Sequence, residues 1–328
     1  MERRTFVALV PGSLLAAPLV AQAQQAGKVW RIGVLSSGSP SATGMGRIDA
    51  FKRGLRELGY VEGRNIVIEP RWGEGKYETL PGLAAELVRL KMDVILTAAV
   101  PAIRAAKGAT GTIPIVMAVV VDPVETGLVA SFARPGGNIT GLSVRTPELV
   151  GKQLGLLKEI VPKASRVAVL WNPGNLGNPP QLRAAELAAR TLGMRLQSLE
   201  ARNPREIDSA FAAMTKEAAA ALVVLVDVMF IDHRTRIADL AATRRLPAVY
   251  GQLEHVESGG LMAYAPNFLD NYGRAAVFVD KILRGANPGD IPIEQSTKFE
   301  LVINLKTAKA LGITIPPSVL LLADKVIK

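Results

Sequence analysis

The sequence predicts an α/β protein built as two doubly wound, parallel-sheet lobes joined by a hinge. Three observations carry that expectation. Short β-branched runs alternate with helix-period stretches, the arrangement that right-handed βαβ crossovers turn into a parallel sheet. The alternation is interrupted by Arg134-Pro135-Gly136-Gly137-Asn138-Ile139-Thr140-Gly141 and then restarts at similar length. Finally, 328 residues with 49% hydrophobic content are enough chain to fill two cores.

In the first block, residues 31–35 read as a strand of β-branched and apolar residues. Residues 44–59 read as a helix, with Ile48, Phe51, Leu55 and Leu58 on one face and Gly59 as its stop. Residues 65–69 form the next strand. A second amphipathic helix spans 77–91 through Leu80, Leu83, Leu87 and Leu90. Residues 93–97 read as a strand, 100–108 as a helix and 113–121 as a strand.

In the second block, 147–161 reads as a long helix, followed by a strand at 166–171, a helix at 179–192 and a strand at 195–199. A helix at 204–219, a strand at 221–226, a helix at 232–244 and a strand at 247–250 complete the pattern. Between the blocks, the Pro and Gly cluster at 134–141 marks irregular backbone and is the expected first crossing between lobes; a plain surface loop is the other reading.

The first residues bear on location. Charged Glu2-Arg3-Arg4 precedes an apolar run from Phe6 to Val20, broken by Pro11, Gly12 and Pro18, and then Ala21-Gln22-Ala23. That order predicts a secretory signal peptide cleaved after Ala23 and a periplasmic protein. Arg3-Arg4-Thr5-Phe6-Val7 also fits a twin-arginine motif, so either export route is open. The chain has no cysteine, which excludes a disulfide, a thiolate metal site, a cysteine nucleophile and a lipid-modified Cys. Its formal charge of +10 comes from Lys and Arg interleaved with acids, so a solvated basic surface is expected and not a nucleic-acid patch.

In open α/β sheets ligands sit beyond the carboxyl ends of strands, so the candidate residues are those that end strands. Ser36 and Ser37, with Gly38, can offer backbone N–H groups to an anion or cap the next helix. Thr97, Ala98 and Ala99 leave room for a ligand or for close helix packing. Asp122 and Asp227 can pair with an ammonium or cap a turn or helix. Asn172 can read a polar head group, and Tyr250 can stack on an apolar ligand. His233 and His255 are the only histidines, and no zinc motif, G-x-S-x-G elbow, phosphate loop or dinucleotide fingerprint occurs. No cofactor and no metal are expected.

Several phrases are specific. They include Gly59-Tyr60-Val61-Glu62-Gly63-Arg64-Asn65, the run from Ala133 to Leu142, Gly259-Gly260-Leu261-Met262 and the run from Phe299 to Gly312. On these the chain resembles the bacterial ABC-transporter substrate-binding protein family related to the tryptophan-binding TrpX proteins. The resemblance implies a type I periplasmic-binding-protein fold of the leucine/isoleucine/valine-binding kind with a three-segment hinge. It places 28–141 and 264–288 in the first lobe, and 142–263 and 289–328 in the second. It implies a monomer that binds a small molecule, an amino acid or related carboxylate, and delivers it to an inner-membrane ABC permease with a cytoplasmic ATPase. The strand-end residues named above would line the cleft. The competing functions are a sensor module for a membrane receptor and an exported hydrolase or isomerase using Asp122 or Asp227.

Overall fold

The computed structural model describes residues 28–144, 146–296 and 298–328. The export-signal reading of residues 1–23 falls outside them.

The first lobe opens with β1 (Trp30–Ser36), α1 (Ala42–Glu57), β2 (Ile66–Trp72), α2 (Leu80–Arg89), β3 (Val94–Ala98), α3 (Val100–Ala109), β4 (Ile115–Val119) and β5 (Ile139–Ser143). The chain then builds α4 (Thr146–Ile160), β6 (Arg166–Trp171), α5 (Asn178–Thr191), β7 (Arg195–Glu200), α6 (Pro204–Lys216) and β8 (Ala221–Val224). There follow α7 (Val228–Asp232), α8 (Arg234–Thr243), β9 (Ala248–Tyr250), α9 (Glu254–Glu257) and β10 (Met262–Pro266). Next come α10 (Phe268–Leu283), β11 (Glu294–Gln295), β12 (Phe299–Asn304), α11 (Leu305–Leu311), α12 (Pro317–Leu321) and β13 (Lys325–Ile327).

Two sheets result, as expected. The first has the order β11-β5-β4-β3-β1-β2 and the second β13-β12-β10-β9-β8-β6-β7. β1 and β6 each pair in parallel on both sides, which places them in sheet interiors and explains their buried apolar centres. Each sheet carries apolar helix faces on both sides, so each lobe has its own cores.

The sheets divide the chain at other points than the sequence suggests. The segment 134–141 is not the crossing: Ile139–Ser143 is a strand of the first sheet, and the chain leaves that lobe only after Val144, which bridges to Val121. Gly141 serves pairing and not a hinge; it sits at φ 135° beside Met117 of β4, where a Cβ would overlap the Met117 backbone. The strand β10, in part assigned to the first lobe, belongs to the second sheet, and α10 then returns to pack on α1. The short strand β11, assigned to the second lobe, pairs with β5 in the first. The strand β12 re-enters the second sheet from the first lobe and therefore runs antiparallel to β10, an exception to the expected parallel pattern. The last strand, β13, lies beside β12, so the chain ends in the second lobe.

The α1–α10 contact fixes the first lobe's outer face. At Gly54 a Cβ would meet the Gly273 carbonyl oxygen, so the helices approach backbone to backbone there. Among the described residues no helix is long and apolar enough to cross a membrane.

Candidate functional site

Both lobes turn strand ends toward one cleft, which holds a cavity lined from both sides. The first lobe supplies the apolar wall: Val34 within β1, Trp72 at the end of β2, Ile48 on α1, and Phe268 and Tyr272 on α10. The second lobe supplies Asn175, Val226, Asp227 and Gln252 from the loops after β6, β8 and β9, and Val228 and Asp232 from α7.

The turn after β1 explains its serines. The Ser36 Oγ accepts from the Gly38 N–H (3.2 Å), and Ser41 caps α1 by accepting from the Gly44 N–H (3.3 Å). Ser37 is 2% exposed and its Oγ has no hydrogen-bond partner. Ser39 reaches across the cleft: its Oγ and N–H donate to Asp232 Oδ2 (2.7 and 3.2 Å), and Ser41 Oγ donates to Oδ1 (3.3 Å).

Asp227 lines the cavity from the second lobe, at the N-terminus of α7. Its Oδ1 accepts from the Met229 N–H (2.9 Å) and Asn172 Nδ2 (3.3 Å). Its Oδ2 accepts from Asn175 Nδ2 (2.9 Å) and from the Tyr77 hydroxyl (2.6 Å), which comes from the first lobe. Burial pushes the Asp227 carboxyl above its ordinary range, against the pull of the Tyr77, Asn175, Asn172 and Met229 hydrogen bonds. Burial, then the Asp227 charge, raises Tyr77 well above the usual phenol value.

Arg47, on α1, lines the cavity, and its Nη2 donates to Glu254 Oε1 of the second lobe (3.0 Å). With the Gln252 amide turned to satisfy both neighbours, its oxygen accepts from Arg47 Nη2 (3.1 Å) and its nitrogen donates to the Asp227 carbonyl (3.2 Å). The Arg47 Nε is buried without a partner. The guanidinium lies 5.3 Å from the Phe268 ring centroid, within cation–π range. Burial would raise Glu254, but the charge and hydrogen bond of Arg47 outweigh it and hold the carboxyl below its ordinary value. A further ion pair, Arg183 with Glu125, also joins the two lobes.

Of the nine residues named from the sequence, Ser36, Ser37, Ala98, Ala99 and Asp227 line this cavity. Ala99 does so at φ 64°, an uncommon angle for a residue with a Cβ. The other four stand elsewhere. Thr97 is spent on the sheet, its hydroxyl donating to the Leu35 carbonyl (2.9 Å). Asp122 caps its own turn, accepting from the Glu125 N–H (2.9 Å). Asn172 lies behind Asp227 and braces it. Tyr250 is fully buried, stacked on His255 with ring centroids 4.7 Å apart. Arg47, Trp72, Phe268, Tyr272, Asp232 and Gln252 were missed. Arg47 alone left a trace, a charge four residues before Phe51 on the helix's apolar stripe.

The model of the family described as ABC transporter substrate binding protein matches residues 41–327. The chain belongs to that family. A tyrosine-binding protein of Clostridioides difficile is 28% identical to this family member over 261 residues, 80% of this chain and 75% of the relative. Two crystal structures share 28% identity with it over 91% of this chain. One, a conserved domain protein from Vibrio cholerae, is covered over its full length (100%) at a TM-score of 0.86. The other, an ABC domain in complex with L-Trp from Streptococcus pneumonia, is covered over 99% at 0.85. The two-lobed architecture is that of type I periplasmic binding proteins. Members of this family are extracytoplasmic binding proteins that work with ABC transporters.

Proposed function

We propose that the chain is the solute receptor of an ABC importer. It closes its two lobes around an amino acid or related small carboxylate with a bulky apolar side chain, and hands it to a membrane permease driven by a cytoplasmic ATPase. The observation that carries this reading is the cleft itself. Strand-end loops of both lobes wall one cavity, and hydrogen bonds from Ser39, Ser41, Arg47 and Tyr77 cross it to carboxylates of the opposite lobe. Ligand that touches both lobes favours the closed form, and the permease would recognise that form. The hinge would have three segments, one of them the passage between β10 and α10. Residues 1–23 would direct export to the periplasm and be removed, leaving a monomer.

The names of the relatives, a tyrosine binder and an L-Trp complex, favour an aromatic amino acid or a molecule of that shape. Trp72, Phe268 and Tyr272 in the wall agree with it. The hydrolase reading has little support: Asp122 is outside the cavity, and Asp227 has both oxygens engaged. A thermal-shift screen of the processed protein against amino acids and aromatic acids, with mass analysis of recovered solute, tests the proposal. A stabilising solute recovered unchanged is expected; a chemically altered solute would overturn the receptor reading.

A further inference from the structure

The charged groups around the cavity are paired with one another or with protein donors. A carboxylate offers about four acceptor positions. Asp227 has four bonds, from Tyr77, Asn172, Asn175 and Met229. Asp232 takes three from Ser39 and Ser41, at the N-terminal end of the sixteen-residue helix α1, whose dipole favours a negative charge there. Glu254 is paired with Arg47. Two polar atoms of lining residues are left buried without partners, Arg47 Nε and Ser37 Oγ. Arg47 Nε is a donor and nothing else, so the group that satisfies it must be an acceptor, and a solute carboxylate is one. The wall otherwise offers aromatic and aliphatic surface from Trp72, Phe268, Tyr272, Ile48 and Val34.

We infer that this cavity takes an aromatic monocarboxylate and that an α-ammonium group adds little to recognition. Arg47 receives the carboxylate, Ser37 adds a second polar contact, and the ring fills the apolar wall of the first lobe. This rests on the receptor reading above and departs from it in one respect. Asp227 and Asp232 hold the closed lobes together, and neither is a dedicated ammonium ligand.

Three probes with one ring system separate the head groups: indole-3-propionate, L-tryptophan and tryptamine, titrated calorimetrically into the processed protein. Indole-3-propionate is expected to bind within about tenfold of L-tryptophan, and tryptamine at least about a hundredfold more weakly than either. L-tryptophan binding a hundredfold tighter than indole-3-propionate would overturn the inference, as would tryptamine binding comparably or all three being refused. The first two results would leave the receptor reading intact, because a solute would still be bound. That reading falls separately, if the recovered solute is chemically altered. Ser37→Ala should weaken indole-3-propionate about five- to tenfold without lowering the unfolding temperature of the unliganded protein, because the hydroxyl has no internal partner to lose. Unchanged affinity would remove Ser37 from the site.

Discussion

His255 should make the second lobe sensitive to acid. The imidazole is fully buried against Tyr250, and neither ring nitrogen meets a partner in bonding geometry. Burial lowers its pKa from 6.5 to about 4, while the Glu254 charge and the backbone at Gln252 and Phe230 pull the other way. Above pH 6.5 the ring is neutral in both folded and unfolded chains and pH has no purchase on it. Below that value the unfolded chain takes up a proton that the folded protein refuses until about pH 4. Stability therefore falls across that window, by about 3 kcal/mol at about 1.4 kcal/mol per pH unit. The measurement is urea unfolding of the native chain and His255→Leu at pH 7.5 and pH 4.5. Carboxylates titrate in both proteins, so the diagnostic quantity is the difference between their losses. The native chain should lose about 3 kcal/mol more than the variant. Equal losses would show that the ring finds a proton acceptor or water in solution, and would refute the reasoning.

The cleft contacts and the α1–α10 packing set three further outcomes. Tyr77→Phe removes the charge-assisted bond that Asp227 receives across the cleft, a contribution of about 1.5–3 kcal/mol, so the closed-to-open ratio should fall about tenfold or more. The chain lacks cysteine, so spin labels at Arg56→Cys and Arg190→Cys report the interlobe distance cleanly near half-saturation with solute; an unchanged distribution refutes the clasp. Asp227→Ala strands Tyr77, Asn172 and Asn175 together and should lower unfolding stability by about 3 kcal/mol as well as weaken solute binding, and urea unfolding that matched the native chain would count against its bracing role. Gly54→Val drives a side chain into the Gly273 carbonyl oxygen and should destabilise the first lobe by about 2 kcal/mol, read by thermal unfolding.

The fold was legible because apolar periodicity reports burial, and burial is what a doubly wound sheet imposes on strands such as Arg166–Trp171. Its interruptions were harder to place. Pro135 and Gly136 look like a hinge, yet the backbone there folds against Gly289, and the strand Ile139–Ser143 follows at once. A glycine required by close strand packing, as at Gly141, has the same letter as one required by a turn. For the cleft, strand-end logic found the loops but not their orientation. It placed Asp227 in the wall and could not show that four donors consume its charge. It passed over Trp72, Phe268 and Tyr272, because an aromatic residue at the edge of a core has the same spacing whether it faces the core or a solute. It also missed Asp232, five residues beyond Asp227, because the meaning of that carboxylate lies in Ser39 and Ser41, which reach it from the opposite lobe across 193 and 191 positions of chain. Contacts made only when two lobes meet leave no local periodicity. The clasp that decides when the cleft is shut is therefore the part of the mechanism hidden from a linear reading.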